Sequence, residues 1–464
     1  MINYNISVQQ FLEKSKSGEL DYTEFIPVAM KELQDKNKKL HFMRQPADFD
    51  KRVTVESSLY GLPISVKDNI CVKGLRATAG SKILEDYKPP MDATAVARMR
   101  EKGARVLCKT NQDEFGFGTF CTNSAYEIPL NPLDTDRCTG GSSGGAASAT
   151  LSLEIPHIAL AQSTGGSISC PAAFCSVVGL TPTYGLVSRY GLIDYSNSMD
   201  KIGTMGKTVW DAALGLSMIA GNDSLDQTTL PEKSKDYTQL SGDLKGKIIG
   251  VPSQYFDNID EAVEKKVRDA ISVMEKNGAK IKKVSLPMTE YALSAYYIVA
   301  TAEASTNLAK FCGMRYGLHL PLKGKFDEYF SRVRSQGFGE EAKRRIILGT
   351  FARMSGYRDA YYLKALKVRR LVIDDFKRAL REVDCLVAPT MPVLPPKFKD
   401  IEKMTTLQQW QMDVLTVPAN FAGLPMVSVP CGDMVGLHLI GDHLAEDKIL
   451  EVAQGYEMAI GKSA

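Results

Sequence analysis

The chain has 464 residues, 44% hydrophobic and 24% charged, which is enough to bury a large core. Its formal charge of +3 excludes a protein that wraps a nucleic-acid duplex through a broad basic face, leaving room for at most one basic patch. The nine cysteines are odd in number and scattered, a poor disulfide framework that points to a reducing, cytoplasmic compartment. The sequence opens without a basic segment followed by an apolar run, and no apolar stretch reaches the roughly 18 residues of a membrane span. Neither a secretory signal nor a membrane association is expected.

In chain order, residues 3–37 read as two helices, the first capped by Ser7, with Ile6, Val8, Phe11 and Leu12 on its apolar side. LYGLPISVKDNI then reads as a strand after a Gly-Leu-Pro turn, ending at Lys67 and Asp68. Asp92 stands before a short helix whose predicted buried side is Ala93, Val96, Ala97 and Met99, and Arg105 to Lys109 form a strand candidate. This strand, helix, strand rhythm predicts a sheet with helices packed across it. Residues 137–191 differ: GGSSGG precedes a helix of small residues, and ALAQSTGGSISCPAAFCSVVGLTPTYG follows. Glycines and hydroxyls between apolar runs imply backbone that turns tightly and approaches something closely.

The second half is more helical. KIIGV reads as a strand, and Ile259, Val263, Val267, Ala270 and Met274 mark a helix that Gly278 stops. Residues 291–312 and 357–382 read as further helices, and strand-like CLVAP and MVSVPCG return late. A sheet begun early and completed late predicts one large α/β domain over 1–464, with a helical insertion at about 288–382 covering the active site.

Acyl transfer needs a nucleophile and donors aimed at the oxygen that becomes negative. Ser167, in Thr164-Gly165-Gly166-Ser167, fits both needs, since two glycines let successive N–H groups turn inward; a plain tight turn fits the same string. GGSSGG also fits a flexible loop or a phosphate cradle, although it lacks the lysine of a Walker-type loop. None of the five histidines lies in a recognisable catalytic or zinc-binding context. A lysine does the work of a base when burial leaves it neutral, and Lys67, after LPISV, stands where a strand end buries it. By itself Lys67 also reads as an ordinary surface lysine.

Together GLPISVKDNI, CTGGSSGGAAS and STGGSISCPAAFCSVVGLTPTYG resemble the amidase signature family in order and approximate spacing. The resemblance implies that family's α/β fold, a large, mostly mixed sheet flanked by helices on both faces. It also implies a triad of Lys67, Ser142 on a cis peptide and Ser167, with Thr164, Gly165 and Gly166 as the oxyanion hole and no metal. SRYGLIDYSNSMDKIG, FGEEAKRRIILGTFARMSGYRDAYYLKALKVRRLV and VLTVPANFAGLPMVSVPCG are similar to the glutaminase subunits of tRNA-dependent amidotransferases within that family. Such a subunit hydrolyses glutamine and passes ammonia to a B subunit, which carries ATP and Mg2+ and contacts the tRNA, while a C subunit braces the other two together. The resemblance implies that Arg345 holds the α-carboxylate of glutamine, with Arg344 as fallback, and that Asp413 holds its α-amine. A planar guanidinium suits a carboxylate and a carboxylate balances an ammonium.

The match is imperfect. Ser163 and Ser169 stand where the family carries Asp and Arg, and neutral hydrogen bonds from the two serines are expected in place of that charged brace. The segment Cys431 to Gly436 is also short, which predicts a reshaped edge near the substrate or a partner. Two rival readings are a stand-alone hydrolase of small amides and a catalytically weak scaffold.

Overall fold

The structure, a computed structural model, describes residues 4–47 and 57–461. Helix α1 (Val8–Ser17) begins at a capping box in which the Ser7 hydroxyl accepts from Gln10 N–H while the Gln10 side chain accepts from Ser7 N–H. Residue 3, the start of the expected helical stretch, lies outside the described residues. Helix α2 (Tyr22–Leu40) runs past the expected stop at 37, and its Phe25 seats both helices on the core against Tyr4, Phe11 and Tyr22.

Strands β1 (Met43–Pro46) and β2 (Pro63–Lys67) follow, then α3 (Thr94–Glu101) and β3 (Arg105–Thr110). Ala93 caps α3 and is buried as expected, with Val96 and Met99; Ala95 joins them, and Ala97, expected inside, is half-buried. Next come α4 (Gly144–Ser152), β4 (Ile158–Ser163), α5 (Ser169–Phe174), β5 (Val178–Thr181), β6 (Lys201–Gly206) and α6 (Val209–Ile219). The pair β7 (Ile248–Pro252) and β8 (Lys280–Val284) flanks α7 (Glu261–Lys276) in sequence. Four long helices then run in succession: α8 (Thr289–Asn307), α9 (Phe326–Gly337), α10 (Glu340–Arg353) and α11 (Lys364–Leu380). Strand β9 (Cys385–Pro389) precedes the short helices α12 (Phe398–Ile401), α13 (Thr406–Gln411) and α14 (Val417–Phe421). The hairpin β10 (Met426–Pro430) and β11 (Gly436–Ile440) leads into α15 (Glu446–Ala459).

Among the described residues, eleven strands join in one mixed sheet of order β1-β3-β2-β4-β6-β5-β10-β11-β9-β7-β8. The late strands β9, β10 and β11 lie between β5 and β7, as a sheet completed late requires. Strands β3, β2 and β4 are parallel, with Ile64 opposite Ile158 and Val66 opposite Leu160. Helices α4 and α5 pack on the middle strands as one group, and α6, α7 and α15 as another. No helix of the described residues is long and apolar enough to cross a membrane.

The short Cys431 to Gly436 segment forms a tight hairpin turn, closed by Cys431 N–H on the Val435 carbonyl at 2.9 Å. It touches Ser176 and Lys266 rather than the predicted site residues.

Helix α10 is held against α8 at Gly349, where a Cβ would stand 1.8 Å from the Thr301 carbonyl oxygen. Gly349→Ala must therefore separate the two helices, and overpacking of this kind costs about 1–3 kcal/mol. The expected result is a lower midpoint in urea unfolding; an unchanged midpoint removes this contact from the list of constraints on α10.

Candidate active site

Every residue of β2 is buried, because this strand lies between two parallel neighbours. As its last residue, Lys67 carries its amine to the carboxyl end of the strand, the usual place for a site in a parallel α/β sheet. The side chain is 0% exposed. Parallel pairing sets the end of β4 beside it, so Lys67 Nζ donates to the Gln162 main-chain oxygen at 2.9 Å and to Gln162 Oε1 at 3.2 Å. Its shortest contact is with Ser142 Oγ, at 2.7 Å. Burial lowers the Lys67 pKa from its ordinary value to about 7, against the opposing pull of Cys121, Asp113 and Asp200.

Ser142 precedes α4 and follows a cis peptide bond from Gly141. Its carbonyl accepts from Asp113 N–H at 3.2 Å, and Gly141 N–H donates to the Thr119 carbonyl at 2.6 Å. Asp113, its carboxyl pushed up to about 6 by burial, accepts from Cys121 N–H and Asn123 N–H. Beside Ser142, the N–H of Ser143 donates to the Ser167 carbonyl at 3.2 Å, tying the two serine loops together.

Ser167 stands between β4 and α5, 6% exposed. The N–H groups of Gly165, Gly166 and Ser167 donate to no protein acceptor among the described residues. Glycine is required at 166 by close approach, since a Cβ there would stand 2.3 Å from Thr416 Oγ1. Thr164 anchors the turn: its hydroxyl donates to Asp200 Oδ1 at 2.6 Å, and its carbonyl accepts from Asn420 on α14.

The expected neutral replacement for the charged brace is not there. Both Ser163 and Ser169 hydroxyls are buried without a protein partner among the described residues. Bracing falls instead to Gln162, Thr164 and Asp200, none of which sequence reasoning had assigned to this task. Asp200, its carboxyl raised by burial to about 7, also accepts from Tyr195 N–H and Ser196 N–H.

Arg345, 2% exposed on α10, donates through Nε to Glu341 at 2.8 Å and through Nη1 to the Tyr195 hydroxyl at 2.5 Å. Its guanidinium lies among the rings of Phe117, Tyr195, Tyr297 and Trp410, 5.0–5.6 Å from their centroids. Arg344, the alternative, is half-buried and donates to Glu341. Asp413, after α13, takes hydrogen bonds on Oδ2 from Thr119 and Tyr297, both 3.0 Å, and burial pushes its carboxyl up to about 6. Arg345 Nη2 and Asp413 Oδ1 have no protein partner among the described residues. Tyr297, stacked on Trp410 at 4.3 Å, is a neighbour of both charges and was not found from sequence; its adjacency to Tyr296 in an apolar helix reads as core.

Shared residues join the two halves. Thr119 bonds both the Gly141 turn and Asp413, and Tyr195 bonds both Asp200 and Arg345. Among the described residues, no group of three or more His, Cys, Asp or Glu side chains is placed to hold a metal ion.

A family model described as Amidase matches residues 39–450. The glutamyl-tRNA(Gln) amidotransferase A subunit of Halothermothrix orenii is 48% identical over 412 residues, covering 87% of this chain and 86% of that protein. The crystal structure of the glutamyl-tRNA(Gln) amidotransferase A subunit from Thermotoga maritima superposes with a TM-score of 0.82 at 34% identity, covering 98% of this chain and 95% of that one. Native peptide amidase from Stenotrophomonas maltophilia gives a TM-score of 0.80 at 28% identity, covering 97% and 96%. Fold, motif order and sequence agree: the chain belongs to the amidase family and is closely related to the glutamyl-tRNA(Gln) amidotransferase A subunits.

Proposed function

We propose that this chain is the glutaminase subunit of a tRNA-dependent amidotransferase, cleaving glutamine to glutamate and ammonia with Ser167 as nucleophile. The observation that carries the reading is the 2.7 Å hydrogen bond between the fully buried Lys67 amine and the Ser142 hydroxyl. In the neutral state Lys67 takes a proton from Ser142 as Ser142 takes one from Ser167. Ser167 Oγ bonds to the side-chain amide carbon of glutamine, and the carbonyl π pair moves onto oxygen. The unpaired N–H groups at Gly165, Gly166 and Ser167 support an oxyanion hole extending from Thr164 to Ser167. As the carbonyl re-forms and the C–N bond breaks, Ser142 gives its proton to the leaving nitrogen, and the Lys67 ammonium returns a proton to Ser142. Water repeats the sequence on the acyl-enzyme and releases glutamate.

The free Arg345 Nη2 and free Asp413 Oδ1 favour a zwitterionic amino-acid head over a simple amide, with Arg345 on the carboxylate and Asp413 on the ammonium. The names of the relatives support the wider role. Ammonia passes to a B subunit that binds ATP and Mg2+, contacts the tRNA, and amidates glutamate on tRNA(Gln), aspartate on tRNA(Asn), or both. A C subunit completes the complex, in the cytoplasm.

Three outcomes test this. Ser167→Ala should lower glutamine hydrolysis by about 10⁴-fold while leaving the fold and any complex intact; turnover retained by that variant eliminates the assignment. Because Lys67 acts as the neutral amine, kcat should rise with pH and reach half its plateau near 7, whereas KM should climb only below about 6, where Asp413 gains a proton. A kcat that falls through that range reverses the assignment of the base. Arg345→Lys should raise KM for glutamine by about 10- to 100-fold, the loss of a hydrogen bond to a charged group, and leave hydrolysis of a simple amide nearly unchanged. An equal effect on both substrates would transfer the preference to a small-amide hydrolase.

A further inference from the structure

We propose that Gln162 is a positioning residue that aims Lys67, its two oxygens holding the two N–H bonds of the neutral amine so that the lone pair falls on the Ser142 hydroxyl. The inference rests on the reading of Lys67, Ser142 and Ser167 as the reacting groups.

Lys67 Nζ has three oxygen neighbours: Ser142 Oγ at 2.7 Å, the Gln162 main-chain oxygen at 2.9 Å and Gln162 Oε1 at 3.2 Å. As an ammonium it donates to all three. As an amine it keeps two N–H bonds and one lone pair. Carbonyl oxygens only accept, whereas a hydroxyl both accepts and donates. Of the three neighbours, Ser142 alone offers a proton to the lone pair, and the two Gln162 oxygens take the N–H bonds. An amine without them is free to rotate its lone pair away from the relay.

The Gln162 amide is itself fixed in one orientation. Asn69 Nδ2 donates to its Oε1 at 3.1 Å, and its Nε2 donates to Thr164 Oγ1 at 2.8 Å and to Asp200 Oδ1 at 3.1 Å. A flipped amide would set its NH2 against the Lys67 and Asn69 donors and its oxygen against the Asp200 carboxylate. Four hydrogen bonds to Asp200, from Gln162, Thr164, Tyr195 and Ser196, keep that carboxylate in place. Gln162 also stands between this carboxylate and the amine. Direct contact would hold Lys67 as an ammonium, unable to act as a base.

The test is steady-state glutamine hydrolysis by Gln162→Met, which keeps the length of the side chain and removes its acceptor, measured across pH. The expected result is a plateau kcat lower by about 10- to 100-fold with KM within about twofold of the starting protein. The acid limb should move to lower pH, because the ammonium has lost an acceptor. Gln162→Asn, which draws the same amide back by one methylene, should show the same pattern and decides the matter where the Met variant does not fold. A folded variant with an unmoved acid limb and unchanged kcat overturns the proposal. So does one whose KM rises as much as its kcat falls with the limb in place, since that assigns Gln162 a purely structural part. Activity of the unsubstituted chain and its loss in Ser167→Ala, run beside these, keep failure of this inference apart from failure of the nucleophile assignment.

Discussion

An amine in water keeps its proton up to about pH 10.4, and a lysine becomes a base near neutrality only when the protein removes that water. Here the removal follows from strand pairing: β2 lies between β3 and β4, so the residue that ends it, Lys67, is enclosed by its neighbours on every side. The same pairing sets Gln162 and the Ser167 turn beside the amine, and the α4 entry supplies the hydroxyl between them. Desolvation and catalytic geometry are thus products of one arrangement of backbone.

Such an environment is hostile to charge, and the site deals with this by separation. Asp113 and Asp200 are near enough to oppose the loss of the Lys67 proton, yet each takes its hydrogen bonds from other groups, main-chain N–H among them. Neither forms an ion pair with the amine. Arg345 and Asp413 are likewise buried but share no direct bond; Glu341 and Tyr195 hold the first, Thr119 and Tyr297 the second. Among the described residues, each keeps one polar atom without a protein partner, Nη2 of Arg345 and Oδ1 of Asp413. That arrangement suits an incoming zwitterion, whose two charges replace the water lost by both groups.

Much of this was legible in the sequence where a local pattern carries the signal. An apolar run ending in lysine, and hydroxyls set among glycines, marked β2, the α4 entry and the Ser167 turn, and Ser7 marked the cap of α1 though not its reciprocal bond with Gln10. The polar supports were harder to read. Asp200, Asp113 and Tyr297 reach the site from separate segments, and nothing in their own neighbourhoods marks them. Gln162 left one trace, as a polar residue inside IALAQS, a strand buried along its whole length. Apart from Thr164, its partners lie 95, 93 and 38 residues away. The hydroxyls at 163 and 169 misled because their hydrogen-bonding chemistry was legible while the absence of a partner for either was not. The insertion of three late strands into the sheet interior is likewise a product of long-range pairing rather than of any local preference.

That insertion bears on how the chain acquires activity as it leaves the ribosome. Strand β10 pairs with β5 only after some 245 intervening residues have been made, and Asn420, which clasps the Thr164 carbonyl, is itself translated late. Until then the nucleophile turn lacks its outer clasp and the middle of the sheet has an open seam, the slow, non-local kind of closure. A growing polypeptide that already carries Lys67, Ser142 and Ser167 therefore still lacks the late strands and the Asn420 clasp that close around them.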